Sequence, residues 1–159
     1  MAGVTGPGPE PDRRDSARML LFDGDDRLVL IRRVREGVPP YLVTPGGGVE
    51  EGESTSEAAV RECAEELGAV VTPGPVAVLT APDPSGVVTF HLGVVRRFDP
   101  ALRTGPELSE PGRGTYETIH VAVDDADALS LLRPEALRSL IATHGALWIG
   151  WARSQFSQF

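Results

Sequence analysis

The chain contains no lysine; its 15 basic residues are all arginine, set against 23 acidic ones for a net charge of −8. Sequence-independent nucleic-acid binding needs clustered positive charge, so the balance argues against it. A few arginines acting with metal ions can still hold a small anion. Cysteine is limited to Cys63. No internal disulfide can form, which fits a reducing compartment and a cytoplasmic location. No apolar run approaches the roughly 20 residues of a membrane-spanning helix, and the N-terminus has no apolar segment of the signal-peptide kind. Repeats and low-complexity runs are also lacking. At 159 residues the chain is long enough for one domain with a substantial core.

The most informative stretch runs from Gly47 to Ala69, GGVEEGESTSEAAVRECAEELGA. Ser54 followed three residues later by Glu57 is the reciprocal capping pattern, so a helix is expected from about Thr55. Gly68 suits the left-handed residue that closes a helix. At about 100° per residue, Val60, Cys63, Ala64 and Leu67 fall on one side, and Glu62, Glu65 and Glu66 on the other. The apolar side is expected to dock on the core, with Cys63 as a core residue rather than a nucleophile. The acidic side is expected to face outward, with Ala58 beneath it keeping it open. Carboxylates at spacings of three and four are surface neighbours and repel one another unless a hard cation joins them, since such cations take oxygen ligands. An acidic helix face is commonly just a solvated surface. That account leaves the register of Glu53, Arg61 and the glycines unexplained. Before the helix, Pro45-Gly46-Gly47-Gly48 lets the backbone bend tightly and approach a ligand.

This register resembles the box of the Nudix hydrolase family, Gly-x5-Glu-x7-Arg-Glu-U-x-Glu-Glu-x-Gly-U, where U is usually aliphatic. Gly47, Glu53, Arg61, Glu62, Glu65, Glu66 and Gly68 occupy its fixed positions. Cys63 and Ala69 are small residues at the U sites, a departure that concerns packing. The resemblance is tight over the box and loose over the flanking strands. It implies Mg²⁺ or Mn²⁺ held by Glu62, Glu65 and Glu66 with the Gly47 carbonyl. It also implies a catalytic glutamate in the box or a later loop, with Arg61 and Glu53 orienting the carboxylates. The implied reaction is metal-dependent hydrolysis of a diphosphate linkage in a nucleoside diphosphate joined to another moiety. The alternative is a Nudix-like domain that binds a nucleotide metabolite and regulates a partner without turnover.

Elsewhere, residues 1–14 read as an irregular arm rich in glycine and proline. Strands are expected over 16–22 and 27–33 around a turn at 23–26, with a loop over 37–40 and a short strand over 41–44. Arg32, Arg33 and Arg35 follow the second strand's apolar run. Guanidinium groups suit phosphate oxygens, so Arg32 and Arg33 are substrate-binding candidates; the alternative is pairing with surface acids. After the box, a strand interrupted by Pro73-Gly74-Pro75 and a long strand over 87–97 are expected. The polar loop over 98–116 is long enough to suggest a role. Glu107 in it is the candidate for a further carboxylate at the site, against the reading of a solvated loop acid. A strand over 117–123, a short helix over 124–132 and another over 134–144 complete the domain, taken as 15–146. Residues 147–159 read as an aromatic tail covering the core or a dimer partner. The fold expected is α+β (mixed α/β), sharpened by the resemblance to a mixed sheet between helices. The expected partner is a small nucleotide, with no membrane and with a homodimer possible.

Overall fold

Short apolar strands build the sheet, and their alternation decides which core each side chain enters. Strands β1 (Ser16–Phe22) and β2 (Arg27–Arg35) send Ala17, Met19, Leu21, Val29 and Ile31 to one face. They send Leu20, Phe22, Leu28 and Leu30 to the other. The computed structural model describes residues 14–80, 85–104 and 112–158. Over these, the chain continues through β3 (Val38–Val43), β4 (Gly46–Gly48), α1 (Thr55–Leu67), β5 (Ala69–Leu79) and β6 (Val88–Phe98). It ends with β7 (Thr115–Ala122), α2 (Ala126–Leu129) and α3 (Ala136–Phe156).

Among the described residues, seven strands form one mixed sheet in the order β3-β2-β1-β6-β5, with β4 paired to β1 and β7 to β2. β1 and β6 run parallel; the other pairs are antiparallel. One face packs on α1 through Ala58, Ala59, Cys63 and Leu67. The opposite face packs on α3 through Leu137, Ile141, Trp148 and Ala152. The architecture is therefore the expected α+β arrangement, a mixed sheet between helices.

The sheet forks. β1 meets β2 in register at Phe22 and Leu28. Toward Ser16, β1 turns to β4, while β2 beyond Ile31 is flanked by β3 and β7. The chain crosses the fork at Thr44 and Pro45, between β3 and β4.

Several local expectations change in the structure. Ala58 does not lie under an outward acidic face; it is fully buried on the sheet beside Ala59, because α1 lies flat and buries a wide arc. Pro39 and Pro40 fall within β3, and Pro73 and Pro75 within a β5 that runs on through register shifts. Both strands are sheet edges, where a missing N–H can face solvent. Residues 147–156 are not a separate tail: α3 continues through them as one helix, so the boundary drawn at 146 falls inside it. A glycine inside a helix costs only about 1 kcal/mol, and buried Trp148 and Ala152 beyond Gly145 offset that. No helix among the described residues is long and apolar enough to cross a membrane.

The β1–β2 turn is locked from inside. Buried Asp23 accepts from the backbone N–H groups of Asp25 (2.9 Å) and Arg27 (3.0 Å). It also accepts from Arg27 Nε (3.1 Å) and from His120 Nδ1 on β7 (2.6 Å). Burial pushes its carboxyl up, but these bonds outweigh that and hold it below the usual range. Asp23→Ala leaves the donors unmet and is expected to lower stability by about 2 kcal/mol. Urea unfolding at neutral pH measures it; a loss below about 0.5 kcal/mol would mean that water replaces the carboxylate at little cost.

Candidate active site

Helix α1 is held at both ends. Ser54 Oγ accepts from Glu57 N (3.0 Å), and Glu57 Oε2 accepts from Ser54 N (3.4 Å), completing the capping box. Thr55 Oγ1 lies 2.9 Å from Nε2 of buried His91 on β6. At the other end Gly68 adopts φ 64°, a left-handed turn that glycine enters without penalty. The last-turn carbonyls, which a helix leaves without internal partners, are met by the segment after β6. Thr104 N donates to Glu65 O (3.1 Å) and Arg103 Nε to Glu66 O (2.9 Å). Arg103 Nη2 also donates to Tyr116 O (3.1 Å), tying the helix end to β7.

Arg61 is the hub of the site. Its Nε and Nη2 form a fork on Glu53 at 2.8 and 3.1 Å. Nη1 donates to Glu62 Oε1 (3.1 Å) and Glu65 Oε2 (3.2 Å), and Nη2 also reaches Gly48 O (3.0 Å). The Glu53 bond outweighs burial and, with Glu62, raises the guanidinium's pKa far above its ordinary range. In return Glu53 is held below the usual carboxylate range, first by Arg61 and then by the Glu50 backbone. The acids around Arg61 are therefore not freely solvated: the Glu62 side chain on α1 and the Glu53 side chain before it are each only 13% exposed, and Glu65 is half-buried.

The glycine strand lies against these carboxylates. Gly46 N donates to Glu66 Oε1 (2.8 Å). A Cβ on Gly47 would stand 2.5 Å from Glu62 Oε1, so a side chain there would displace that carboxylate. Burial first, then Glu66 and Glu62, pushes the Cys63 thiol well up. Cys63 is thus a core residue, as the helix pattern implies. Among the described residues no three His, Cys, Asp or Glu side chains converge as a ready-made cation site. Glu62 and Glu65 instead share Arg61 Nη1.

These groups form one side of a cleft of about 550 Å³ at the fork of the sheet. Glu62, Glu66 and Gly46–Gly48 line it together with Arg14, Arg18, Arg33, Arg113, Tyr41, Val43 and Tyr116. The two arginine candidates part company by strand alternation. Arg33 shares the α1 face and lines the cleft, with its guanidinium carbon 3.6 Å from the centre of the Tyr116 ring. Arg32 lies on the opposite face, 3.7 Å from Glu117 on β7. Glu107 lies outside the described residues. Tyr41, Tyr116, Arg14, Arg18 and Arg113 were not anticipated. Alternation from Ile31 could have separated Arg33 from Arg32, but no local signal pairs β2 with β7.

A model of the NUDIX domain matches residues 12–139. The chain belongs to the NUDIX family. Two curated relatives, both named RNA pyrophosphohydrolase and from two strains of Caulobacter vibrioides, are 45% identical to this NUDIX chain over 58 residues. That segment is 36% of this chain and 34% of theirs, so the match spans about a third of the relatives' length. Among solved structures, a NUDIX hydrolase from Nitrosomonas europaea superposes with a TM-score of 0.64 at 20% identity, over 85% of this chain and 90% of that one. A MutT structure from work on Aliivibrio salmonicida and Vibrio cholerae gives 0.58 at 27% identity, over 86% and 99%. An ADP-ribose pyrophosphatase from Streptococcus suis gives 0.57 at 19%, over 80% and 88%. At these identities the first and last speak for the fold alone.

Because the Glu53 carboxyl is held low in the folded chain, its pairing stabilises above the unfolded carboxylate pKa of roughly 4.3. That stability is lost as pH falls through the lower folded value. Glu53→Gln is therefore expected to melt below the parent at pH 7, with the gap closing toward pH 3. Melting curves across that range check it; a gap independent of pH would remove the ionised pair as its source.

Proposed function

We propose that the chain hydrolyses a diphosphate linkage in a nucleotide-like substrate with a divalent cation bound at the box helix. The observation that carries this reading is the single cleft edge formed by Glu62, Glu66 and the Gly46–Gly48 backbone, braced from behind by Arg61. The donor set fits Mg²⁺ or Mn²⁺, which take hard oxygen ligands. The carboxylates of Glu62, Glu65 and Glu66 and the Gly47 carbonyl would hold it, and the bare Gly47 Cα leaves the Glu62 carboxylate its place. Such a cation, when bound, offsets phosphate charge and makes water more acidic.

The remaining work belongs to the chain's own groups. The Arg14 guanidinium lies over Gly48, where its donors face the oxygens of a diphosphate lodged against the glycines; Arg18 also lines the cleft, with its Nη1 donating to Thr44 O at 2.7 Å. One of the box glutamates takes the proton of the attacking water. Arg61 and Glu53 are positioning residues: they set the directions of Glu62 and Glu65 and carry no proton. Arg103 holds the end of the helix against β7. The small-nucleotide substrate class is supported by family membership and by a cleft of about 550 Å³. A cytoplasmic site of action and a homodimer remain parts of this proposal, compatible with the single buried thiol.

The test is a panel of nucleoside di- and triphosphates, sugar nucleotides and dinucleoside polyphosphates with Mg²⁺ or Mn²⁺. Product release is followed for the parent chain and for Glu62→Gln, Glu65→Gln and Glu66→Gln. We expect metal-dependent turnover in the parent. At least one variant should lose it by roughly 100-fold or more, the scale of a lost catalytic group, with an unchanged melting temperature in metal-free buffer. Turnover without metal, or variants as active as the parent, would reject the mechanism. Nucleotide binding without any product would instead favour the regulatory reading. A second check is Gly47→Ala, whose methyl presses on Glu62. It is expected to cost roughly tenfold or more in kcat while the chain stays folded.

A further inference from the structure

Two residues that line the cleft, Glu66 and Tyr116, are carried by different parts of the sheet. Glu66 is on α1, which packs on β1 and β5. Tyr116 is on β7, which pairs with β2. Between them the sheet forks: β1 and β2 meet in register at Phe22 and Leu28 and part toward the cleft. Strand pairing therefore does not by itself fix how far Glu66 stands from Tyr116.

Arg103 spans that gap. Its Nε donates to Glu66 O at 2.9 Å and its Nη2 to Tyr116 O at 3.1 Å. The main chain that carries the guanidinium is itself anchored on the end of α1. Asp99 N donates to Gly68 O at 2.6 Å, a single 3₁₀ turn covers Pro100–Leu102, and Thr104 N donates to Glu65 O at 3.1 Å. Helix capping accounts for the first Arg103 bond: α1 has no basic residue in its own last turn, and a cation there suits the helix dipole. Capping gives no reason for the second donor to leave the helix and take a β7 carbonyl. A planar guanidinium holds its donors in a fixed fork, which a flexible ammonium does not, so one side chain ties two main-chain positions at a set separation. Both bonds are exposed, and a hydrogen bond that only replaces one to water adds little to stability. Their consequence is the width of the cleft.

We propose that Arg103 is a positioning residue, a strut that sets the spacing between Glu66 and Tyr116 for a ligand that touches both. Arg103 is not among the residues that line the cleft, so it acts through the main chain it holds. The inference rests on the hydrolase reading only in taking the cleft as the ligand site.

The experiment compares the full parent chain with Arg103→Gln and Arg103→Lys. Calorimetry gives the affinity for Mn²⁺ alone and, in Mg²⁺, for the α,β-methylene analogue of a purine nucleoside diphosphate; melting temperature is recorded alongside. Both variants are expected to bind the analogue at least about tenfold more weakly, the scale of a modest misplacement, with Mn²⁺ affinity within about twofold of the parent and melting within about 3 °C. With a hydrolysed substrate the change is expected in KM more than in kcat. Several outcomes overturn the proposal. No analogue binding by the parent removes the bridging ligand. Unchanged analogue affinity in Arg103→Gln removes the strut. Rescue by Arg103→Lys, or a parallel loss of Mn²⁺ affinity, reduces Arg103 to a charge that caps the helix. A larger drop in melting temperature makes it a structural tie. If Arg103→Gln weakens the analogue while the parent turns over no nucleotide, the strut stands and the hydrolase reading falls.

Discussion

The site depends on a single guanidinium. Arg61 reaches Glu53, Glu62, Glu65 and the Gly48 carbonyl at once. Carboxylates this close repel one another unless a cation lies between them. A planar cation with five donors suits the task better than an ammonium, which offers a point charge and no fork. The same bonds join two segments. By gripping Gly48 O, Arg61 fastens the helix to the glycine strand, so the box acts as a unit rather than as separate acids.

That unit is useful only because the fold holds it rigidly. The capping box and His91 fix the start of α1, and Gly68 with the segment carrying Arg103 and Thr104 fixes its end. Its underside is alanine, cysteine and leucine pressed on β1 and β5, small enough to let the helix lie close to the sheet. The forked sheet then opens beside the carboxylates. A continuous β1–β2 pairing would fill that space with backbone; the divergence of the strands leaves a cleft there instead.

Charge is distributed with the same effect. The chain carries a net −8, yet four arginines stand around a cleft that also holds Glu62 and Glu66. Clefts lined by one sign of charge concentrate their counter-ions. Here both signs line one cavity, which suits a ligand carrying both anionic oxygens and a bound cation. Arg32 and Arg33 show how finely this is controlled: adjacent in sequence, one meets Glu117 on the far face and the other a tyrosine ring in the cleft.

Much of this was legible before any coordinates. The capping pair Ser54 and Glu57, the closing Gly68 and the spacing of Glu53, Arg61, Glu62, Glu65 and Glu66 are local features, set by helix geometry within one turn or two. So are the β1–β2 turn and the class of fold, because alternation and turn residues act over a few positions. Ala58 and the length of α3 were misread because burial depends on what lies opposite, and a helix pressed flat on a sheet buries a wider arc than its apolar stripe suggests. Only the tertiary structure could bring Tyr41, Arg33 and Tyr116 into one row. Register between β2 and β7, strands far apart in the chain, is decided by the packing of two whole core layers, and nothing within either strand encodes its partner.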